Sequence, residues 1–242
     1  MSETRTHEPE SKKLDIQEKG ANGQTGDKRL YLQLQVFTGA KDIQKLVKAL
    51  ESKGIESVLY ADVNDPTGVG LLLMAENPDF FVNEARKFLL EEPFASLTRR
   101  PEMTMIGRTY SSGREQDLED WLLKRSRRYA LNKEWPWAVW YPLRRKPEFE
   151  LLPREEQGKI LMEHAVMGRA FGEAGLAFDI RLACYGLDQN DNEFVLGLLS
   201  SELYPLSRLV QEMRKSQQTA KYIQNLGPFF VGKAVWQSKL KV

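Results

Sequence analysis

Apolar and polar positions alternate from Leu30 to Val36, which predicts a strand whose two faces differ in character. A helix is expected over residues 42–53 and is closed by Gly54. Strands follow over 55–63 and 68–75, separated by the turn-like run Asn64-Asp65-Pro66-Thr67-Gly68. Asn77 caps a second helix with Pro78 in its first turn; that helix runs to about Leu90, and 102–110 reads as another strand. The order is β-α-β-β-α-β, that of a ferredoxin-like unit.

The same order then recurs. A polar helix over 114–132 ends in the basic run Leu123-Lys124-Arg125-Ser126-Arg127-Arg128-Tyr129, and a strand follows over 137–145. Period-two geometry puts Trp137, Val139, Tyr141, Leu143 and Arg145 on one face of it, while Pro142 predicts an edge or irregular position. A long helix over 153–173, strands over 178–187 and 193–199, a helix over 204–222 and a strand over 229–235 complete the second set. The expected class is α+β, a duplicated ferredoxin-like chain with the helices covering one face of each sheet. The boundaries are a disordered tail over 1–27, a first repeat over 28–112, a linker helix over 113–136 and a second repeat over 137–242. The tail carries His7 and little that could be buried.

Composition narrows the function classes. Lysine plus arginine number 35 against 34 acidic residues, a balance that argues against a general nucleic-acid binder. The single cysteine, Cys184, can form no internal disulfide and reads as a small core residue in a strand, and no Cys/His cluster suggests zinc. The polar N-terminus does not read as a secretory signal and no apolar run has the length of a membrane span, so a cytoplasmic setting is expected.

One residue of chemical interest stands out. His164 lies four positions after Ile160 and three before Met167, on a stripe that also includes Leu161, Ala170 and Phe171 and should face inward. A buried imidazole needs a partner for each ring nitrogen: a carbonyl or hydroxyl, a carboxylate, or a metal. Taken alone, a core histidine with satisfied hydrogen bonds is the commoner case.

The ordered set of motifs around it changes that balance. Tyr141-Pro142-Leu143, Leu152-Pro153-Arg154-Glu155-Glu156, Met162-Glu163-His164 and Gly168-Arg169 are followed by Gly186-Leu187-Asp188, Glu193-Phe194-Val195 and Glu212-Met213-Arg214. Thr219-Ala220-Lys221-Tyr222 and Gly227-Pro228-Phe229-Phe230-Val231-Gly232 close the series. This second half resembles the chlorite dismutase and coproheme decarboxylase superfamily, with coproheme decarboxylase the closer match; the first half resembles it mainly in topology.

The resemblance implies a haem or iron-coproporphyrin III (coproheme) site between helix and sheet of the second repeat, with His164 as the proximal iron ligand. It implies peroxide-dependent removal of carbon dioxide from two propionates to give haem b, with Tyr141 as the redox-active tyrosine. Arg145 stands where well-studied decarboxylases have an assisting lysine; an arginine holds a carboxylate by a bidentate fork but does not easily give up a proton. Arg127 matches a propionate-binding arginine, and Thr219 a hydroxyl near a propionate. A homopentamer is also implied. The alternatives are chlorite dismutation on haem b, with Asp179 or Arg181 at the place of the distal arginine, a haem-binding protein of the same fold without catalysis, and an interaction protein in which His164 is only core.

Overall fold

The computed structural model describes residues 14–240. Its first repeat consists of β1 (Tyr31–Thr38), α1 (Ile43–Lys53), β2 (Ser57–Asp62), β3 (Val69–Ala75), α2 (Asp79–Val82), α3 (Glu84–Leu89) and β4 (Met105–Arg108). Asp42 caps α1 through its side chain, which accepts from the Gln44 N–H, and Gly54 ends it in the left-handed conformation. The helix expected to run to Leu90 is divided between α2 and α3 at Asn83, whose backbone leaves the helical region.

The linker holds a π turn (Asp120–Lys124) that passes directly into α4 (Arg125–Ala130). The second repeat consists of β5 (Trp137–Arg145), α5 (Arg154–Glu173), β6 (Phe178–Ala183), β7 (Phe194–Ser200), α6 (Leu203–Met213), β8 (Ile223–Leu226) and β9 (Phe230–Gln237). The helix expected over 204–222 stops at Met213, and a π turn (Gln218–Tyr222) follows it.

Each repeat arranges its strands antiparallel in the same order, β4-β1-β3-β2 in the first and β9-β5-β7-β6 in the second. The repeats then pair edge to edge, β2 with β9 over five registered positions and β4 with β6 at Arg108 and Ala183. The sheet therefore closes into a ring of eight strands, a tighter arrangement than two sheets side by side, and closure leaves no edge of either repeat unpaired. Pro142 lies where β5 changes neighbour from β9 to β8, and its carbonyl accepts from the Gly227 N–H at 2.9 Å. That is the irregular position which a residue without an N–H requires.

The interior of the ring is packed solid. Leu30, Leu32, Leu34 and Val36 meet Tyr60, Trp140, Ile180, Leu182 and Phe230, all essentially without exposure. The two largest rings fit because glycine faces them: a Cβ on Gly197 would stand 2.5 Å from the Trp140 indole, and one on Gly70 would collide with Phe230. Cys184 is buried beside this core with its thiol pKa pushed up to about 12, chiefly by burial, so it is an inert core residue.

The outer faces carry the helices. Leu46 and Leu50 of α1, with Phe88 and Leu89 of α3, cover Leu59, Leu71 and Leu73. In the second repeat, Leu206 and Leu209 of α6 cover Val139, Tyr141 and Leu198. The long helix α5 is seated more loosely: Ile160 is its one buried residue, and Leu161 and Ala170, expected on the inward stripe, are exposed.

Residues 1–13 of the expected tail, with His7, lie outside the described residues. From Glu18 the chain is built into the fold, contrary to a tail extending to Asp27. Glu18–Lys19 pairs with Thr25–Gly26, Glu18 binds Arg108 at 3.0 Å and accepts from the Ser111 N–H, and Ala21 N–H donates to Glu115 O. The composition of the segment concealed this because its anchors are polar partners about ninety residues away.

Substituting Gly197→Ala should cost about 1–3 kcal/mol, because the indole must leave its position. Urea unfolding of the variant should show a lowered midpoint; an unchanged midpoint would mean that the ring interior has slack.

Candidate functional site

His164 projects from the inner side of α5 toward the turn that follows α6. Its Nδ1 lies 3.3 Å from the Ser216 hydroxyl oxygen. Ser216 is fully buried and donates its own hydrogen to the Met213 carbonyl at 2.8 Å, while the Thr219 N–H points at the same oxygen at 3.3 Å. A hydroxyl has one hydrogen; with that of Ser216 on the Met213 carbonyl, the nearest of its partners, the oxygen accepts from His164, and in that tautomer Nδ1 carries the proton and the Nε2 lone pair is free. Burial first, and then the Arg181 charge, lower the imidazole pKa from its ordinary 6.5, so the ring is neutral at pH 7. A neutral imidazole with one nitrogen anchored and the other bare is the form that coordinates a metal. Thr219 completes the anchor, with its hydroxyl 3.3 Å from that of Ser216.

Tyr141 sits on the outer face of β5, opposite Leu196 of β7, with its ring stacked on Phe229 at 4.6 Å. It is 8% exposed, and its hydroxyl has no hydrogen bond among the described residues. Burial drives its pKa well above the ordinary value, the Asp179 carboxylate adds to this and the Arg214 charge opposes it, so the phenol keeps its proton. No hydrogen bond joins His164 to Tyr141 among the described residues; the Asp179 charge acts on both, which places them around one region of the outer face.

Asp179 and Arg181 project from that face of β6 and pair with each other, Nε to Oδ2 at 2.9 Å. Arg125 donates to the Asp179 carbonyl at 2.9 Å and to its carboxylate at 3.0 Å. Its guanidinium lies 4.5 Å from the rings of both Trp121 and Tyr129. Burial alone would raise the Asp179 pKa, but the guanidiniums of Arg181 and Arg125 hold it below the ordinary 3.8. The two π turns flank this region: one leads into Arg125 and the other carries Thr219, in keeping with the frequency of π bulges at functional sites.

Two of the expected residues are placed elsewhere. Arg127 turns toward the first repeat, donating to both Glu56 oxygens at 3.0 and 3.1 Å, to Glu76 at 3.2 Å and to the Leu123 carbonyl. Arg145 is buried, with Glu193 and Glu150 each at 2.9 Å, the Tyr185 hydroxyl at 3.2 Å, and the rings of Phe149 and Phe194 against its plane. Each spends most of its donors on the protein's own groups and keeps one terminal nitrogen outside these bonds, Nη2 of Arg127 and Nη1 of Arg145.

Ser216, Arg125, Trp121 and Arg214 were not expected at the site. The Trp121-Arg125-Tyr129 spacing of four and four was a readable signal, since it stacks a guanidinium between two rings on a helix. Nothing local marks Ser216. The first repeat also holds a cavity, of about 440 Å³, between the end of α1, α2, α3 and β3, but its walls, among them Lys53, Glu56, Met74 and Phe80, include no imidazole or phenol. No described helix is long and apolar enough to cross a membrane.

Residues 38–235 match the family model of chlorite dismutase. The chain belongs to the chlorite dismutase family. Solved structures agree on the fold. A haem-binding protein from Thermus thermophilus aligns with a TM-score of 0.66 at 20% identity, covering 86% of this chain and 92% of that one. An arginine-to-lysine variant of chlorite dismutase from Candidatus Nitrospira defluvii aligns at 0.64 and 15% identity, over 86% and 92% of the two chains. The structure of that dismutase in complex with imidazole aligns at 0.66 and 14%, with the same coverage. The duplicated ferredoxin-like architecture expected from the order of elements is thus the family fold.

Removing the Arg145 guanidinium would leave the half-buried Glu193 carboxylate without its cation, so Arg145→Met should lower stability by about 2–4 kcal/mol. Equilibrium denaturation measures this, and a loss under about 1 kcal/mol would return Arg145 to consideration as a ligand-binding group.

Proposed function

We propose that this chain binds an iron porphyrin between α5 and the outer face of β5, β7 and β6, where His164 Nε2 would hold it through its iron. The observation that carries this is the hydrogen-bond order around Ser216, which leaves a single neutral nitrogen donor bare. Among the described residues no group of three or more His, Cys, Asp or Glu could hold a metal ion. A bare ion would therefore be short of ligands, whereas a porphyrin brings four nitrogens of its own and needs one from the protein. The donor set fits that group, and the haem-binding neighbour supports the reading.

The reaction we propose is peroxide-dependent decarboxylation of iron-coproporphyrin III to haem b, in a cytoplasmic homo-oligomer of the family's pentameric kind. For each propionate, R–CH2–CH2–COO⁻ + H2O2 + H⁺ gives R–CH=CH2 + CO2 + 2 H2O, so peroxide takes two electrons and ends as water. Bound iron porphyrin supplies the reactivity toward peroxide. The chain's part falls to Tyr141: a protonated phenol with a free hydroxyl, held flat on Phe229, can give up an electron and a proton together and take a hydrogen from the propionate. Arg181 keeps its terminal nitrogens out of its ion pair with Asp179 and supports a second reading, chlorite dismutation on haem b, which needs a cation near the bound oxyanion.

Mixing the protein with iron-coproporphyrin III and peroxide should give a mass loss of two carbon dioxide molecules. Tyr141→Phe should abolish the loss, and His164→Ala should alter the iron coordination spectrum. Bleaching of the pigment without mass loss would defeat the catalytic reading and leave a haem binder. Rapid oxygen evolution from chlorite that disappears in Arg181→Ala would promote the second reading.

A further inference from the structure

The cavity of the first repeat lies apart from the site under α5 and has a chemistry of its own. Its volume of about 440 Å³ falls within the range of small-molecule sites, roughly 300–1,000 Å³. Ile55, Phe80 and Phe88, all from the apolar cluster beneath α1 and α3, give it an apolar floor. Its charged walls divide into groups that the protein has already spent and groups that it has not. Glu56 is buried, and both of its oxygens accept from Arg127 Nε, at 3.0 and 3.1 Å. Lys53 is held by Glu91 at 2.8 Å. Glu84 and Lys87 differ from these: both are exposed, and neither side chain has an ion pair or hydrogen bond among the described residues.

Position makes that pair of charges useful. Glu84 and Lys87 stand three positions apart on α3, and both line the cavity. Side chains so spaced are neighbours on a helix, with Cβ atoms about 5–6 Å apart, yet these two leave each other unpaired. One unspent anion and one unspent cation above an apolar floor suit a ligand that carries both charges close together and an apolar body behind them. A ligand with a single charge would leave one of the two groups unanswered. We infer that this cavity binds a small zwitterion with an apolar side chain, the free aliphatic α-amino acids being the simplest of the class. Glu84 receives the ammonium, Lys87 the carboxylate, and the floor of Ile55, Phe80 and Phe88 the side chain. The cavity shares no residue with the proposed porphyrin site, so the porphyrin-free chain suffices to test it.

The test is isothermal titration of the full, porphyrin-free chain with L-leucine, which should bind saturably with a dissociation constant near or below about 1 mM. 4-Methylpentanoate, which lacks the ammonium, and 3-methylbutylamine, which lacks the carboxylate, should each bind about tenfold more weakly, the worth of one charge-assisted hydrogen bond. Glu84→Gln should weaken leucine by a similar factor and leave 4-methylpentanoate unchanged. Lys87→Met should also weaken leucine and leave 3-methylbutylamine unchanged. Both variants should keep the wild-type melting temperature, because each replaces an exposed side chain without a partner. No saturable uptake of leucine, uptake that either singly charged analogue equals, or an affinity that survives both substitutions overturns the assignment.

Discussion

Closure of the strand ring is the constraint on which the rest of this structure depends. A ferredoxin-like sheet has two open edges and one bare face, and neither is tolerable alone in water. Pairing β2 with β9 and β4 with β6 removes the edges, and burying Trp140, Tyr60 and Phe230 against Gly197 and Gly70 fills the enclosed space. A ring packed in this way has no room for a ligand. Any binding must therefore occur on an outer face, under the helices.

The two outer faces are not equivalent. In the first repeat, α1 and α3 settle closely on the sheet through Leu46, Leu50 and Phe88. In the second, α5 buries only Ile160 and reaches the sheet cluster through Phe171, with a polar chain of His164, Ser216 and Thr219 between it and the turn after α6. A long helix held by few apolar contacts is weakly stabilised by itself, and a ligand bound against it would add to that stability. Duplication followed by this asymmetry explains how two repeats of one fold can offer different sites.

Charge is distributed on the same principle. Arg127 and Arg145 belong to the architecture: one ties the linker to the first repeat through Glu56, the other neutralises Glu193 and Glu150 at the end of β5. Arg125 stiffens Asp179 from behind, and Arg181 and Arg214 remain for the solvent or a ligand. Matching motifs to a family identifies which positions carry arginine. It does not say which of those arginines has donors to spare, because that depends on acids distant in sequence, such as Glu56 and Glu193.

The alternation from Leu30 to Val36, the capped helix ending at Gly54 and the repeated β-α-β-β-α-β order were enough to establish the duplicated fold, since periodicity and turn chemistry are local properties. Pro142 announced its irregular place in β5, and the ordered motifs around His164 singled out the imidazole and Tyr141. Ring closure, the seating of Glu18 against Arg108, the partner of His164 and the engagement of Arg127 and Arg145 were decided only by the tertiary structure. Each is a pairing between residues tens of positions apart, and such pairings are selected by the geometry of the closed chain, which leaves no periodic trace along it.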